Sequence, residues 1–260
     1  MLYTPSGHSY KLVYIDTNII NGISKNTQAT ARNFLMKYAI SGEFIFVTSL
    51  FNIYELSRAK GESRESVIKT FDVIPLLISY TYPQLIEFEK ISSEFDKEMI
   101  IAATGIKEIL KIQISTLLMA METDPNLLKA KKQMYANFEE EINLWKYTGY
   151  DRKWIQNFDK NLLRSMNESF RLAENYFPIT ELGRYKSLEM FAFIKNMFIS
   201  NKPKDIGKNS IIDAYNASFL PYVKVYVTES TVGAWIEKEA KKRFSYLSDI
   251  DVIKLSDLFD

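Results

Sequence analysis

The sequence predicts an α/β fold: a parallel sheet sandwiched by helices, with a large all-helical insertion. Three observations lead there. Short β-branched apolar runs alternate with helical patterns near both ends of the chain. Several of these runs stop abruptly at polar or acidic residues, as in "VYIDTN" at residues 13–18. The middle, from about residue 83 to 200, is helical in pattern almost throughout. Residues 1–260 therefore read as one domain, built from about 1–82 and 201–260 around an insertion at about 83–200.

The elements follow in order. Val13, Tyr14 and Ile15 extend an apolar run from Leu12 that is too short for a helix, so a strand is expected to stop at Asp16, with a helix opening at Ile19 and Ile20. "TQATARNFLMKYAISGEF" reads as a helix closing near Gly42, and "FIFVTS" as a second strand. "LFNIYELSRAK" is helical, with Gly61 as its expected stop. "FDVIPLLIS" reads as a third strand that Pro75 confines to an edge or an irregular position. In the middle, Leu85, Phe88, Ile91 and Phe95 mark an apolar helix face, and Asp124-Pro125 opens the next helix. Trp145 and Trp154 flank a break at Thr148-Gly149. The tail returns to alternation: helix "NSIIDAYNASFL", strand "VKVYVTES", helix "TVGAWIEKEAKKRF" and strand "DVIKLS".

Composition narrows the chemistry. Lys and Arg number 33 against 32 Asp and Glu, a formal net charge of +1, so a polyanion would need a local basic patch. There is no cysteine and only one histidine, His8, which excludes disulfides, thiolate metal sites and a histidine-rich zinc site within one chain. Metal chemistry must then be carboxylate chemistry. "MLYTPSGHSY" lacks a secretory signal pattern, and Lys195 and Asn196 interrupt the longest apolar run, so the expectation is a cytoplasmic protein with no membrane partner.

Three acids share a topological place. Asp16 follows the first strand, Glu55 lies in the first turns of the helix after the second, and Glu229 follows "VYVT". Asp213 joins them if its helix opens at the same sheet edge, with Asn216 at i+3 on the same face. The carboxyl edge of a parallel sheet is where ligands of open α/β folds bind. Carboxylates gathered there repel one another unless a hard cation such as Mg²⁺ or Mn²⁺ turns repulsion into coordination, which would activate water for attack on phosphorus. Each acid also has a plain structural reading: Asp16 as the cap of the following helix, Glu55 as a partner of Arg58, Asp213 as a partner of Lys208 or Lys204, Glu229 as a turn residue.

The ordered set "VYIDTNII", "FVTSLFNIYELSRA", "IIDAYNASFLPYVKVYVTES" and "DVIKLSDLF" resembles the PIN-domain nucleases, metal-dependent ribonucleases that include toxins of bacterial toxin-antitoxin pairs. The resemblance covers roughly residues 10–60 and 200–260. It implies a PIN-like fold and an endoribonuclease, a toxin or defence component, that holds Mg²⁺ or Mn²⁺ on Asp16, Glu55, Asp213 and Glu229. Thr17, Asn18, Asn216, Thr228 and Ser230 would support them. The chain departs from the family in having Glu229 followed by Ser230 where two acids are frequent, and Lys224 and Asn216 where an acid and a histidine are frequent in larger members.

Arg58, Lys60 and Arg64, with Lys202, Lys204 and Lys208, form two basic groups beside the acids. Of these, Arg58, Lys60, Lys204 and Lys208 are the expected contacts to RNA phosphates. The 16 tyrosines and 17 phenylalanines offer stacking surfaces, most of them expected in the core. The apolar faces of the insertion would pack on the sheet, form a homodimer, or receive an inhibitory or regulatory protein. The competing function is a PIN-like module with a decayed catalytic site that binds RNA or a protein partner. Aspartyl-phosphate phosphatase chemistry also starts from an aspartate after a first strand, but it needs a second acid two residues on, where this chain has Asn18.

Overall fold

Among the described residues, seven strands form one sheet: β1 (Leu2–Tyr3), β2 (Ser9–Tyr14), β3 (Phe44–Thr48), β4 (Leu76–Ser79), β5 (Ile100–Thr104), β6 (Val225–Thr228) and β7 (Asp251–Lys254). The computed structural model describes residues 2–3, 7–25, 29–91, 100–104, 112–147, 154–170, 178–228, 230–254 and 256–259. Strand order is β5-β4-β3-β2-β6-β7, with β1 paired to β2 off this path. The five strands from β4 to β7 in that order are all parallel, β2 meeting β3 on one side and β6 on the other. β5 closes the β4 edge in the antiparallel sense.

Strand alternation supplies two cores. Leu12, Tyr14, Val47, Leu77 and Tyr226 face one side, and Val13, Phe46, Leu76, Val225 and Val227 the other. Both faces being apolar is what a parallel sheet covered on both sides requires. On the second face pack α1 (Thr17–Lys25), α2 (Ala29–Tyr38), α3 (Leu50–Leu56), α4 (Gly61–Phe71) and α6 (Ile114–Thr123), through residues such as Ile20, Phe34, Ile53, Phe71 and Leu118. On the first lie α5 (Tyr82–Ile91), α7 (Pro125–Tyr147), α8 (Phe158–Phe170), α9 (Lys186–Asn201) and α10 (Lys208–Ala217), through Leu85, Phe138, Leu162, Phe193 and Ile211.

The helix α9 is buried on every side from Ser187 to Ile199. Its buried faces are mostly apolar but include Glu189, Lys195 and Asn196, and each of its large apolar side chains contributes about 1.5–3 kcal/mol by leaving water. The segment beyond residue 83 thus supplies the centre of one face of the α/β unit. After β6, α11 (Ser230–Trp235) runs through a π-helical turn at Ile236–Ala240 into α12 (Lys241–Arg243), as the sequence led one to expect of a single helix; the short α13 (Ser256–Phe259) follows β7. Among the described residues no helix is long and apolar enough to cross a membrane.

Four expectations are corrected. The segment 83–200 is not all helix: "IIAAT" forms β5, and its two alanines and short length left helix and strand indistinguishable by pattern. Pro75 does not confine β4 to an edge, because it stands one residue before the ladder begins at Leu76 and its missing N–H falls outside the pairing. Gly61 does not stop the helix after β3. That helix closes earlier, at Ser57, whose backbone N–H donates to Ile53 and whose hydroxyl donates to the Tyr54 carbonyl; Gly61, at φ +56°, starts α4 instead. On α5 the inward stripe is Tyr82, Leu85, Ile86 and Glu89, leaving Phe88 half-buried and Ile91 81% exposed. Phe95 and the break at Thr148-Gly149 lie outside the described residues.

Candidate active site

A polar cleft of about 380 Å³ opens at the carboxyl edge of the sheet, and Asp16, Glu55 and Asp213 all line it. Each reaches it for a local reason. Asp16 stands just past β2, where Ile19 N–H donates to its Oδ1 at 2.9 Å and Ile20 N–H to its carbonyl at 3.0 Å. It therefore does cap α1, and the capped carboxylate also faces the cleft. Ser49 caps α3 in the same manner, accepting from Asn52 N–H, and Glu55 follows one turn after Asn52. On α10, Asn209, Ile212, Asp213 and Asn216 form an i, i+3, i+4, i+7 stripe along the cleft.

Beneath the acids lies a connected buried network. Tyr14 donates its phenolic hydrogen to Asn216 Oδ1 at 2.6 Å, and Ser49 donates to the same oxygen at 3.1 Å. Asn52 Nδ2 donates to Thr48 Oγ1 (2.9 Å), Tyr14 Oη (3.2 Å) and the Ile15 carbonyl (3.3 Å). Thr48 in turn donates to that carbonyl at 2.8 Å. Satisfied in this way, buried polar groups hold a single arrangement. Burial pushes the Tyr14 hydroxyl well above its ordinary pKa, and the negative charges of Asp16 and Asp213 push it further. Tyr226, stacked on Tyr14 at 5.2 Å, is raised well above its ordinary value by burial and then by Tyr14, Asp213 and Asp16. Both phenols remain neutral, and both sense the same two aspartates.

The supporting residues divide. Thr17 donates to Glu55 Oε2 at 2.7 Å and lines the cleft beside Asn18 and Asn216. Thr228 is buried at the end of β6, against Lys254 in the neighbouring strand, and does not line the cleft. Ser230 donates to Ser256 at 2.9 Å, away from the cleft. Glu229 lies outside the described residues. Of the basic candidates Arg58 lines the cleft, while Lys60, Lys204 and Lys208 are not among its lining residues. Lys208 pairs with Glu139 at 3.7 Å and lies over the Tyr135 ring. Lys224 donates to the Asp249 carbonyl.

Sequence reading missed Ser49, Asn52, Tyr14, Asn21 and Asn209. Spacing could have found three of them: Asn52 precedes Glu55 by three, Asn21 follows Asn18 by three, and Asn209 precedes Asp213 by four. Tyr14 carried no signal, because an aromatic in a buried strand reads as core.

The donors fit a hard divalent cation in kind: three carboxylates and several amide oxygens, of which Asn21 Oδ1 is buried with no hydrogen-bond partner among the described residues. Among the described residues no three acids stand close enough to hold an ion as they are placed. The chain matches no family model, no curated protein and no solved structure.

Proposed function

We propose that this protein is a metal-dependent endoribonuclease of PIN-like architecture, with the acidic cleft as its active site. One observation supports the reading above the rest: Asp16, Glu55 and Asp213, contributed by three elements far apart in sequence, line one polar cleft at the carboxyl edge of a parallel sheet. Asp16, Glu55 and Asp213 would hold Mg²⁺ or Mn²⁺, with Asn21 as a further oxygen donor. Bound there, the cation would act as a Lewis acid on a phosphodiester and make water acidic enough to attack it near neutral pH.

The chain's own residues have separate tasks. Asp16 is fixed by its cap bond to Ile19, so its carboxylate is presented without rotamer search. Thr17 fixes Glu55. Tyr14 and Ser49 hold Asn216 by its carbonyl oxygen. A cleft carboxylate takes the proton of the attacking water as the phosphorus–ribose oxygen bond breaks, and solvent returns a proton to the leaving oxygen. Arg58 balances the negative charge of the substrate.

A second reading is a module that binds RNA or a protein partner without turnover, favoured by the spacing of the described acids. Calorimetric titration of Mn²⁺ into the wild type and Asp16→Asn, followed by RNA cleavage with and without the metal, separates the two. Tight binding lost in the variant, together with metal-dependent cleavage, is the nuclease outcome. RNA binding with no turnover at any Mn²⁺ concentration is the other.

A further inference from the structure

The long helix α7, inside the segment whose role the sequence left open, meets both of the later helices that carry cleft acids. On α10, Tyr215 follows Asp213 by two residues and stands off the cleft stripe, and its hydroxyl donates to Glu141 Oε1 of α7 at 2.7 Å. The Tyr215 ring lies 5.1 Å from that of Phe51 on α3 and 6.0 Å from that of Phe138 on α7, and those two rings are 5.6 Å apart. Phe51 precedes Glu55 by one helical turn. This three-ring contact therefore sets the spacing of α3 against α10, and with it that of Glu55 against Asp213. Glu141 Oε2 is buried with no hydrogen-bond partner among the described residues, so the bond from Tyr215 is the one this carboxyl makes there. A second tie between α7 and α10, Lys208 to Glu139 at 3.7 Å, is exposed and holds little.

Asn216, the next residue on α10, is held from the other side by Tyr14 and Ser49. Pinned at two successive residues, once to the sheet side and once to α7, α10 is fixed in rotation about its axis, and Asp213 one turn before Asn216 shares that fixed angle. Among the described residues no three acids stand close enough to hold an ion as they are placed, so metal binding depends on where α10 presents Asp213. We propose that Tyr215 and Glu141 are positioning residues, their bond making α7 a brace that sets Asp213 against Asp16 and Glu55. The inference rests on the nuclease reading and deepens it by giving α7 a task at that site, although neither residue lines the cleft.

The test compares Tyr215→Phe, Glu141→Gln and Glu141→Ala with the wild type by Mn²⁺ calorimetry, steady-state RNA cleavage and thermal melts, the first two run below the melting transition of every variant. Tyr215→Phe keeps the ring contacts and loses only the bond. It is expected to weaken Mn²⁺ binding and to lower kcat by roughly tenfold each, the order for a lost group that orients a metal ligand, with KM for RNA little changed. Glu141→Ala matches it. Glu141→Gln, which still accepts from the hydroxyl, restores both quantities, and the double variant Tyr215→Phe/Glu141→Ala is no worse than either single one. Wild-type kcat and Mn²⁺ affinity in Tyr215→Phe, whatever its melting temperature, overturn the brace and leave the nuclease reading standing. Additive losses in the double variant, or equal losses in Glu141→Gln and Glu141→Ala, also overturn it. A wild type that cleaves no RNA with Mn²⁺ removes the nuclease reading and the brace together, and is read on the wild type alone.

Discussion

Thr17 on α1 donates its hydroxyl hydrogen to Glu55 Oε2 on α3 at 2.7 Å, so the residue directly after the first acid holds the second. Thr17 is β-branched and stiff at χ1, which keeps the hydroxyl aimed. Thr17→Val preserves shape and removes the bond. Because Glu55 is only partly buried and water can replace the donor, stability should fall by less than about 1 kcal/mol. Metal affinity and kcat/KM should each fall roughly tenfold, the order seen when a group orienting a metal ligand is lost, while Thr17→Ser retains most of both. Calorimetry with Mn²⁺ and a thermal melt on each variant check this; unaltered Mn²⁺ affinity in Thr17→Val would show that Glu55 needs no such support.

Asp16 has two jobs that substitution can pull apart. Asparagine caps helices about as well as aspartate, so Asp16→Asn should keep the bond from Ile19 and lie within a few tenths of a kcal/mol of wild type. Asp16→Ala should lose about 1 kcal/mol through the missing cap. Both should lose RNA cleavage by at least about 100-fold, since the charge is absent in each. Denaturant melts and cleavage rates measured together decide the matter: activity that tracks stability, high in Asn and low in Ala, would make Asp16 a cap alone.

The alternation of strands and helices was legible because buried β-branched runs such as Leu12–Ile15 and Val225–Val227 admit few other readings. Asp16 was legible for a related reason, an acid directly after such a run sitting at a predictable sheet edge, whereas Glu55 was placed from the helix that follows β3 and Asp213 only on the condition that its helix opens at the same edge. β5 was not, since five residues with two alanines carry neither period. The helix α9 was read correctly as helix, but its burial on all sides depends on partners in α8, α10 and the sheet that no local pattern names. Tyr14 was hidden in the same way, because its partner Asn216 lies 202 residues away.

Tyr14 joins the sheet to the site. Its hydroxyl donates to Asn216 and accepts from Asn52, all three buried. Tyr14→Phe leaves Asn216 and Asn52 each short of a partner where water has little access, a loss of about 1–3 kcal/mol. The urea midpoint should fall with the slope unchanged. Asn216→Asp should be worse than Tyr14→Phe, because it adds a negative charge beside Asp16 and Asp213, whose fields already reach Tyr14. A variant Tyr14→Phe with wild-type stability would mean that the network contributes nothing net.

Glu89 makes stability depend on pH through a group remote from the cleft. Its Oε1 accepts from Ser187 N–H of α9 at 2.7 Å and from the Tyr222 hydroxyl, while its Oε2 is buried without a partner among the described residues. Burial, offset in part by those bonds and aided by the charge of Glu189, raises its pKa from 4.5 to about 7. Between those values the folded protein holds a proton on Glu89 that the unfolded chain has released. Stability should therefore be greatest below about pH 4.5 as far as this group is concerned, decline as pH rises to about 7, and level off above. The full span is at most about 3 kcal/mol, and Glu189, raised chiefly by its own burial, contributes with the same sign. Glu89→Gln keeps an acceptor for Ser187 and Tyr222 and cannot titrate. The variant should equal wild type at low pH, exceed it in stability above pH 7, and give a wild-type-minus-variant curve that slopes only through this window. Urea denaturation at several pH values measures it, and a flat difference curve would place the Glu89 carboxyl at its ordinary pKa in the folded protein.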